Sequence, residues 1–174
     1  MLLRDAQTHD IKYIKELYRE AFPLRERMPF STLERLQRKG KIRILTAIEN
    51  SEPCAMAVTV SNSRTVLLLY LAVDGTKRGQ GIGSKVISAF GYTFPRRRLL
   101  LEIEKPDKSK PLTVRRKEFY LRCGLRDTGV DIRLAGVPME LLIKGEGEFD
   151  PEEYLRLYEA HLGRGLTKLL LKIQ

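Results

Sequence analysis

Only two cysteines, Cys54 and Cys123, and two histidines, His9 and His161, occur in 174 residues. Two distant cysteines make neither a disulfide framework nor a close-spaced metal-ligand set, so both are expected to be reduced and mostly buried. The histidines are isolated from each other and from any carboxylate pair, and no metal is expected. No run approaches the roughly 20 uncharged apolar residues that cross a bilayer, and residues 1–10 mix charge with polarity where a signal sequence would be apolar. The expected location is the cytoplasm, with no membrane partner. Internal repeats and low-complexity segments are absent. So is the interleaving of aromatic and basic residues on extended strands that single-stranded nucleic-acid surfaces use.

What is present describes a soluble globular chain. Hydrophobic residues make up 43 % and charged residues 31 %, enough apolar side chains to offset ordering entropy. The length fits one domain, residues 1–174, with a sheet covered by helices on both faces and residues 150–174 as a C-terminal helical extension. Lysine and arginine number 32 against 22 acidic residues, a net charge of +10. Such a field attracts polyanions, including nucleic acid and the phosphates of a nucleotide cofactor. Spread this evenly, it reads first as a solvated basic surface.

Periodicity gives the element order. Residues 1–4 read as an edge strand, and Ile11, Ile14, Leu17, Tyr18, Ala21 and Phe22 then recur at helical spacing behind Thr8 and Asp10, with Pro23 as the stop. A short second helix follows from Ser31 or Thr32 to about Lys39. Residues 42–48, 54–60 and 65–73 are extended runs joined by turn formers, an antiparallel meander. The third run is almost continuously apolar, as a strand buried on both faces would be. After a glycine-rich turn comes a helix with Val86, Ile87, Ala89 and Phe90 on one stripe, then a strand over 99–104 that places Glu102 and Glu104 on one face. A helix over 114–123 closed by Gly124, strands over 127–134 and 139–144, and a helix opened by Asp150 and Pro151 complete the pattern. Leu155, Tyr158 and Leu162 are its inward positions. Leu166, Leu169, Leu170 and Ile173 prolong an amphipathic pattern to the end, a tail that packs on the domain or on a second subunit as a homodimer.

The glycine turn, Arg78-Gly79-Gln80-Gly81-Ile82-Gly83, carries the chemistry. Glycines let the backbone approach a ligand, and the helix that follows opens with unpaired N–H groups, a seat for phosphate. It is not a P-loop, because Gly83 is followed by Ser84-Lys85, and its Gly-x-Gly-x-Gly spacing is not the Gly-x-Gly-x-x-Gly of a dinucleotide fold. A meander precedes it, where a dinucleotide fold needs a βαβ unit.

Arg78, Gly81 and Gly83, following a strand that ends at Val73, resemble the acetyl-CoA loop of the GNAT superfamily (GCN5-related N-acetyltransferases), Arg/Gln-x-x-Gly-x-Gly/Ala. Downstream, Phe119-Tyr120-Leu121-Arg122-Cys123-Gly124-Leu125 resembles the family's second motif, with leucine where phenylalanine is commoner. The resemblance implies an α/β (α+β type) fold: a mixed, largely antiparallel sheet of about seven strands with helices on both faces, its strands splayed at the cofactor site. It implies acetyl-CoA as co-substrate and direct transfer of the acetyl group to a primary amine, on a small molecule, peptide or protein. By it, Leu71, Ala72 and Val73 flank the pantetheine arm. Arg78, Gly79, Gln80, Gly81, Ile82, Gly83 and Ser84 hold the pyrophosphate, and Tyr120 protonates the departing sulfur. An amine with a pKa near roughly 10 must also lose a proton. Glu104 and then Glu102 are the candidate bases, and Glu26 and Arg27 are candidate substrate contacts. The alternatives are a non-catalytic CoA-binding module and a basic nucleic-acid-binding domain.

Overall fold

The structure, a computed structural model, describes residues 1–173, without the side chains of Arg25, Leu162, Leu166, Leu169 and Leu170. Among the described residues are six α-helices and eight strands of a mostly antiparallel mixed sheet, one strand more than expected. The chain divides into two compact units, Met1–Val60 with Leu68–Arg96, and Ser61–Leu67 with Arg97–Gln174.

In the first unit the strands run in the order β1 (Leu2–Asp5), β2 (Arg43–Glu49), β3 (Glu52–Ser61) and β4 (Thr65–Val73), whose residues 68–73 belong here. The β2–β3 hairpin turns on Asn50 and Ser51, both at positive φ as a two-residue twisted turn requires. Helices α1 (Ile11–Ala21) and α2 (Phe30–Arg38) form where the apolar spacing predicts, and Ile14, Leu17, Tyr18 and Leu33 are buried. Asp10 does not cap α1 through its own side chain; its carboxylate closes the preceding turn on the Gln7 amide at 2.8 Å and binds Arg4 at 2.6 Å. Helix α3 (Ile82–Thr93) buries Ile82, Val86, Ile87, Ala89 and Phe90. The most deeply covered strand is β3. β4 is buried from Thr65 to Leu68, but Leu69, Tyr70, Leu71 and Val73 are only half-buried, so the expected two-sided burial stops midway.

The second unit orders its strands β5 (Arg98–Glu104), β7 (Val137–Lys144), β6 (Arg126–Leu134) and β8 (Leu171–Ile173). Helix α4 (Pro111–Arg122) lies on one face of this sheet. Its Lys117 binds Glu140, the cross-strand partner of Ile103, and Lys144, opposite Leu99, donates to the carbonyl of Cys123. Helix α5 (Pro151–Leu162) lies on the other face, where Tyr154 and Tyr158 reach Glu102. The start of α5 is as the sequence dictates: Asp150 accepts from the Glu152 amide at 2.9 Å and Pro151 fills the first helical position. The tail departs from expectation. Helix α6 (Arg164–Leu170) is short, and residues 171–173 pair with β6 as a strand instead of prolonging a helix. Hydrogen bonding to an open sheet edge satisfies backbone groups that a frayed last turn would leave to water. The inward positions expected at Leu162, Leu166, Leu169 and Leu170 lie outside the described side chains.

Candidate functional site

The turn after β4 is built by Asp74. Its carboxylate accepts from the amide and hydroxyl of Thr76 at 2.9 and 2.7 Å and from the Tyr13 hydroxyl at 3.3 Å, and its own amide donates to the carbonyl of Cys54. Hydrogen bonds from Thr76, then from Tyr13, hold the Asp74 carboxyl below the usual range; burial and the Asp74 charge push the Tyr13 phenol up. Residues 75–77 form one tight helical turn. Gly79 and Gly81 then take φ of 76° and 75°, the left-handed region that residues with a Cβ avoid. A Cβ at either position would meet no atom within 4 Å, so glycine is required here by backbone conformation and not by crowding.

This turn leaves donors without acceptors. Among the described residues nothing accepts from the amides of Gly79, Gln80, Gly81, Ile82 and Gly83, whereas the Lys85 amide donates to the carbonyl of Gly81. Gly79, Gln80 and Gly81 are exposed, so no side chain closes the turn off. Ser84 is exposed in the first turn of α3 and already engaged within the protein. Two of the flanking cations are neutralised, Lys77 by Glu52 and Lys85 by Glu49. Among the described residues Arg78 meets no carboxylate: its Nε donates to the carbonyl of Val73, at 3.4 Å. The turn therefore presents five amides, the positive end of a three-turn helix and one unneutralised guanidinium, and the first turn of α3 holds no acidic residue. Leu71 and Val73, at the half-buried end of β4, lead into it.

The second unit holds the titratable candidates. Tyr120 lies near the end of α4, its ring 5.0 Å from that of Phe119. Its hydroxyl has no partner among the described residues, and burial, opposed by the Arg116 charge, pushes its pKa up to about 12. Gly124, at φ 83°, ends α4, and Leu125 donates to the Tyr120 carbonyl at 3.1 Å. Glu102 and Glu104 share a face of β5 as the alternation predicts, but it is the face opposite to α4 and hence to Tyr120. Glu102 Oε1 accepts from Tyr154 at 2.6 Å and Tyr158 at 2.5 Å, and burial raises its carboxyl despite both bonds. Glu104 binds Lys110 at 2.8 Å, and Arg98 pairs with Glu153.

In the first unit, Glu26 is exposed in the loop after α1, whereas Arg27 turns inward. Its Nη1 donates to the carbonyls of Arg19 at 2.7 Å and Phe22 at 3.2 Å, closing the C-terminal end of α1, so much of its bonding capacity is structural. Sequence reasoning missed Asp74, Tyr13 and Tyr70. For Asp74 a signal existed, since Asp-Gly-Thr after an apolar strand is a turn that binds its own backbone. Cys54 is buried and Cys123 half-buried, and no group of metal-ligating side chains occurs among the described residues.

No family model matches the chain, and no curated protein matches it. Solved structures do. A Bacteroides thetaiotaomicron protein assigned to the GNAT family of acetyltransferases superposes with a TM-score of 0.76 over 94 % of this chain and 99 % of its own, at 20 % identity. A spermidine N-acetyltransferase variant from Vibrio cholerae gives 0.59 over 83 % and 94 %, at 16 % identity. An aminoglycoside 6′-N-acetyltransferase complexed with coenzyme A gives 0.63 over 86 % and 100 %, at 15 % identity. The match spans nearly the whole of each neighbour, and this chain has the GNAT acetyltransferase fold.

Proposed function

We propose that the chain is an acetyl-CoA-dependent N-acetyltransferase acting on a primary amine of a small molecule. The observation that carries this reading is the row of amides at residues 79–83 without acceptors, beside a guanidinium without a carboxylate. Unpaired donors in such number call for a polyanionic ligand with several oxygens, and a diphosphate supplies them. Neighbours of the same fold act on spermidine and aminoglycosides, and one was crystallised with coenzyme A, which supports both the cofactor and the amine.

Acetyl-CoA supplies an acetyl group activated as a thioester. The apolar end of β4, where Leu71 and Val73 are half-buried and Ala72 is buried, is the proposed wall for the pantetheine arm. A backbone N–H there would bind the carbonyl oxygen most tightly as it gains charge, favouring the transition state over bound substrate. The nitrogen–carbon bond forms as the carbon–sulfur bond breaks. Tyr120, with its pKa pushed up to about 12, keeps its proton at pH 7 and offers it to the sulfur. Glu104 is the proposed base, taking the ammonium proton through water, with Glu102 second because its Oε1 already holds two phenols. Glu26 and the outer edge of Arg27 are the proposed substrate contacts.

Calorimetry with CoA, followed by thiol release over a panel of primary amines, tests the reading. Micromolar CoA binding with amine-dependent thiol release is expected. No CoA affinity would remove the proposal, and CoA binding with no release from any amine would leave a binding module. Salt-sensitive RNA binding that CoA does not compete would favour the nucleic-acid reading.

A further inference from the structure

Two local rules are broken at the tip of the β2–β3 hairpin. Glu49 and Glu52 stand directly opposite each other across the strands, a like-charge pair that ordinarily destabilises a sheet. The register also slips between Ala47 and Ile48, which leaves Cys54 without a partner on β2. Both irregularities are satisfied from the segment around the glycine turn. Lys77 donates to Glu52 at 2.9 Å and to the carbonyl of Pro53 at 3.2 Å, and Lys85, the fourth residue of α3, binds Glu49 at 2.6 Å. The carbonyl of Cys54 accepts from the Asp74 amide at 3.0 Å, while its thiol donates to the Ala47 carbonyl at 3.3 Å. The hairpin tip therefore holds the chain at residues 74, 77 and 85, on either side of the five open amides. Fully exposed ion pairs contribute little, but one member of each pair is largely covered, Lys77 at 27 % and Glu49 at 21 % exposure.

A row of amides binds a diphosphate well only if the donors are already aimed, because ordering a glycine-containing segment on binding subtracts from affinity. The amides of residues 79–83 make no bond that would fix their direction, so their aim is set from the flanks. Two carboxylates beside an anion seat would, by charge alone, oppose binding. Their presence is accounted for by what their partners hold. We propose that Glu49 and Glu52 are positioning residues for the cofactor turn, keeping its two ends in place through Lys85 and Lys77. This rests on the CoA reading above and adds to it a part for a hairpin outside the glycine turn.

Charge and positioning differ here in sign. By charge alone, Glu49→Gln with Glu52→Gln would free two lysines beside the seat and tighten CoA binding; by lost positioning the same change loosens it. Calorimetry on the full chain decides, with CoA and with pantetheine, which lacks the diphosphate. The double variant also loses the like-charge opposition, so it should fold normally, with an unchanged urea midpoint. It is expected to bind CoA about 5-fold more weakly or worse, with pantetheine affinity unaltered. In a chain already carrying Lys85→Met, Glu49→Gln is expected to change CoA affinity by less than about 2-fold, since the pair through which it acts is gone. Unchanged or tighter CoA binding by the double variant overturns the inference and leaves the CoA reading standing. So does an equal loss for pantetheine, or a full effect of Glu49→Gln beside Lys85→Met. Absence of CoA affinity in the unaltered chain would overturn both.

Discussion

Replacing Gly81 by alanine isolates the glycine turn, the proposed diphosphate seat, from the rest of the molecule. Gly81 sits at φ 75° as the residue before α3, with open space where a Cβ would go, so the substitution introduces no clash. Its whole effect is conformational. Holding alanine in the left-handed region costs about 1–2 kcal/mol. The turn is exposed and its amides hold nothing in the unliganded protein, so it can shed this strain by relaxing to negative φ. Folding stability should then fall by less than about 1 kcal/mol. Binding, however, must restore the aim of the amides, and the strain returns at that moment. At about 1.4 kcal/mol per tenfold, CoA affinity should drop roughly 5- to 30-fold. Calorimetry with CoA measures this directly, and competition by pantetheine, which lacks the diphosphate, provides the control. Pantetheine should compete equally well with both proteins. CoA affinity unchanged within a factor of two, or an equal loss for pantetheine, would refute the assignment of residues 79–83 to the diphosphate.

Tyr120→Phe should reduce turnover by about 10²- to 10⁴-fold, the usual scale of general acid catalysis, while CoA affinity stays the same; equal turnover would mean that another group protonates the sulfur. Tyr154→Phe removes a hydrogen bond to the buried Glu102 carboxyl and should cost about 0.5–1.5 kcal/mol in urea unfolding, with a smaller loss when Glu102 is already leucine. Because burial raises the Glu102 carboxyl, its stabilising contribution is complete below the ordinary carboxylate range and declines as pH rises through the folded value; Glu102→Gln should flatten that decline. Asp10 has the opposite sign. Burial would raise its carboxyl, but bonds from Arg4 and the Gln7 amide outweigh it and hold it low, so its contribution is present above the ordinary range and lost as pH falls. Asp10→Asn should cost about 1–3 kcal/mol at pH 7 and remove part of the acid dependence of unfolding.

Helix and strand order was legible because it depends on local rules. The α1 stripe, the β2–β3–β4 meander and the Asp150-Pro151 start of α5 are each written in a few adjacent residues. The glycine turn was legible for the same reason, since a left-handed backbone at Gly79 and Gly81 leaves a direct mark on composition. What the sequence hid was pairing at a distance. Glu102 lies 52 residues from Tyr154 and 56 from Tyr158, and nothing near Glu102 announces two phenols on the opposite side of its strand from α4. Arg27 likewise looks like a solvated loop charge until the end of α1 is seen to need a donor. The tail misled because apolar spacing in residues 164–173 fits a helix as well as a helix followed by a strand, and the open edge of β6 decided between them. The half-covered end of β4 was also invisible, since a continuous apolar run has the same letters whether or not something covers it.

Residues 171–173 also act as a guard. By occupying the rim of β6 at Ile132, Arg133 and Leu134, they deny a foreign chain the place where it would most readily zip on. Trimming the protein back to Gly163 would strip that shield and offer a ready template for strand-by-strand accretion. The shortened form should therefore self-associate at concentrations where the intact chain stays dispersed, whatever its fate as a catalyst.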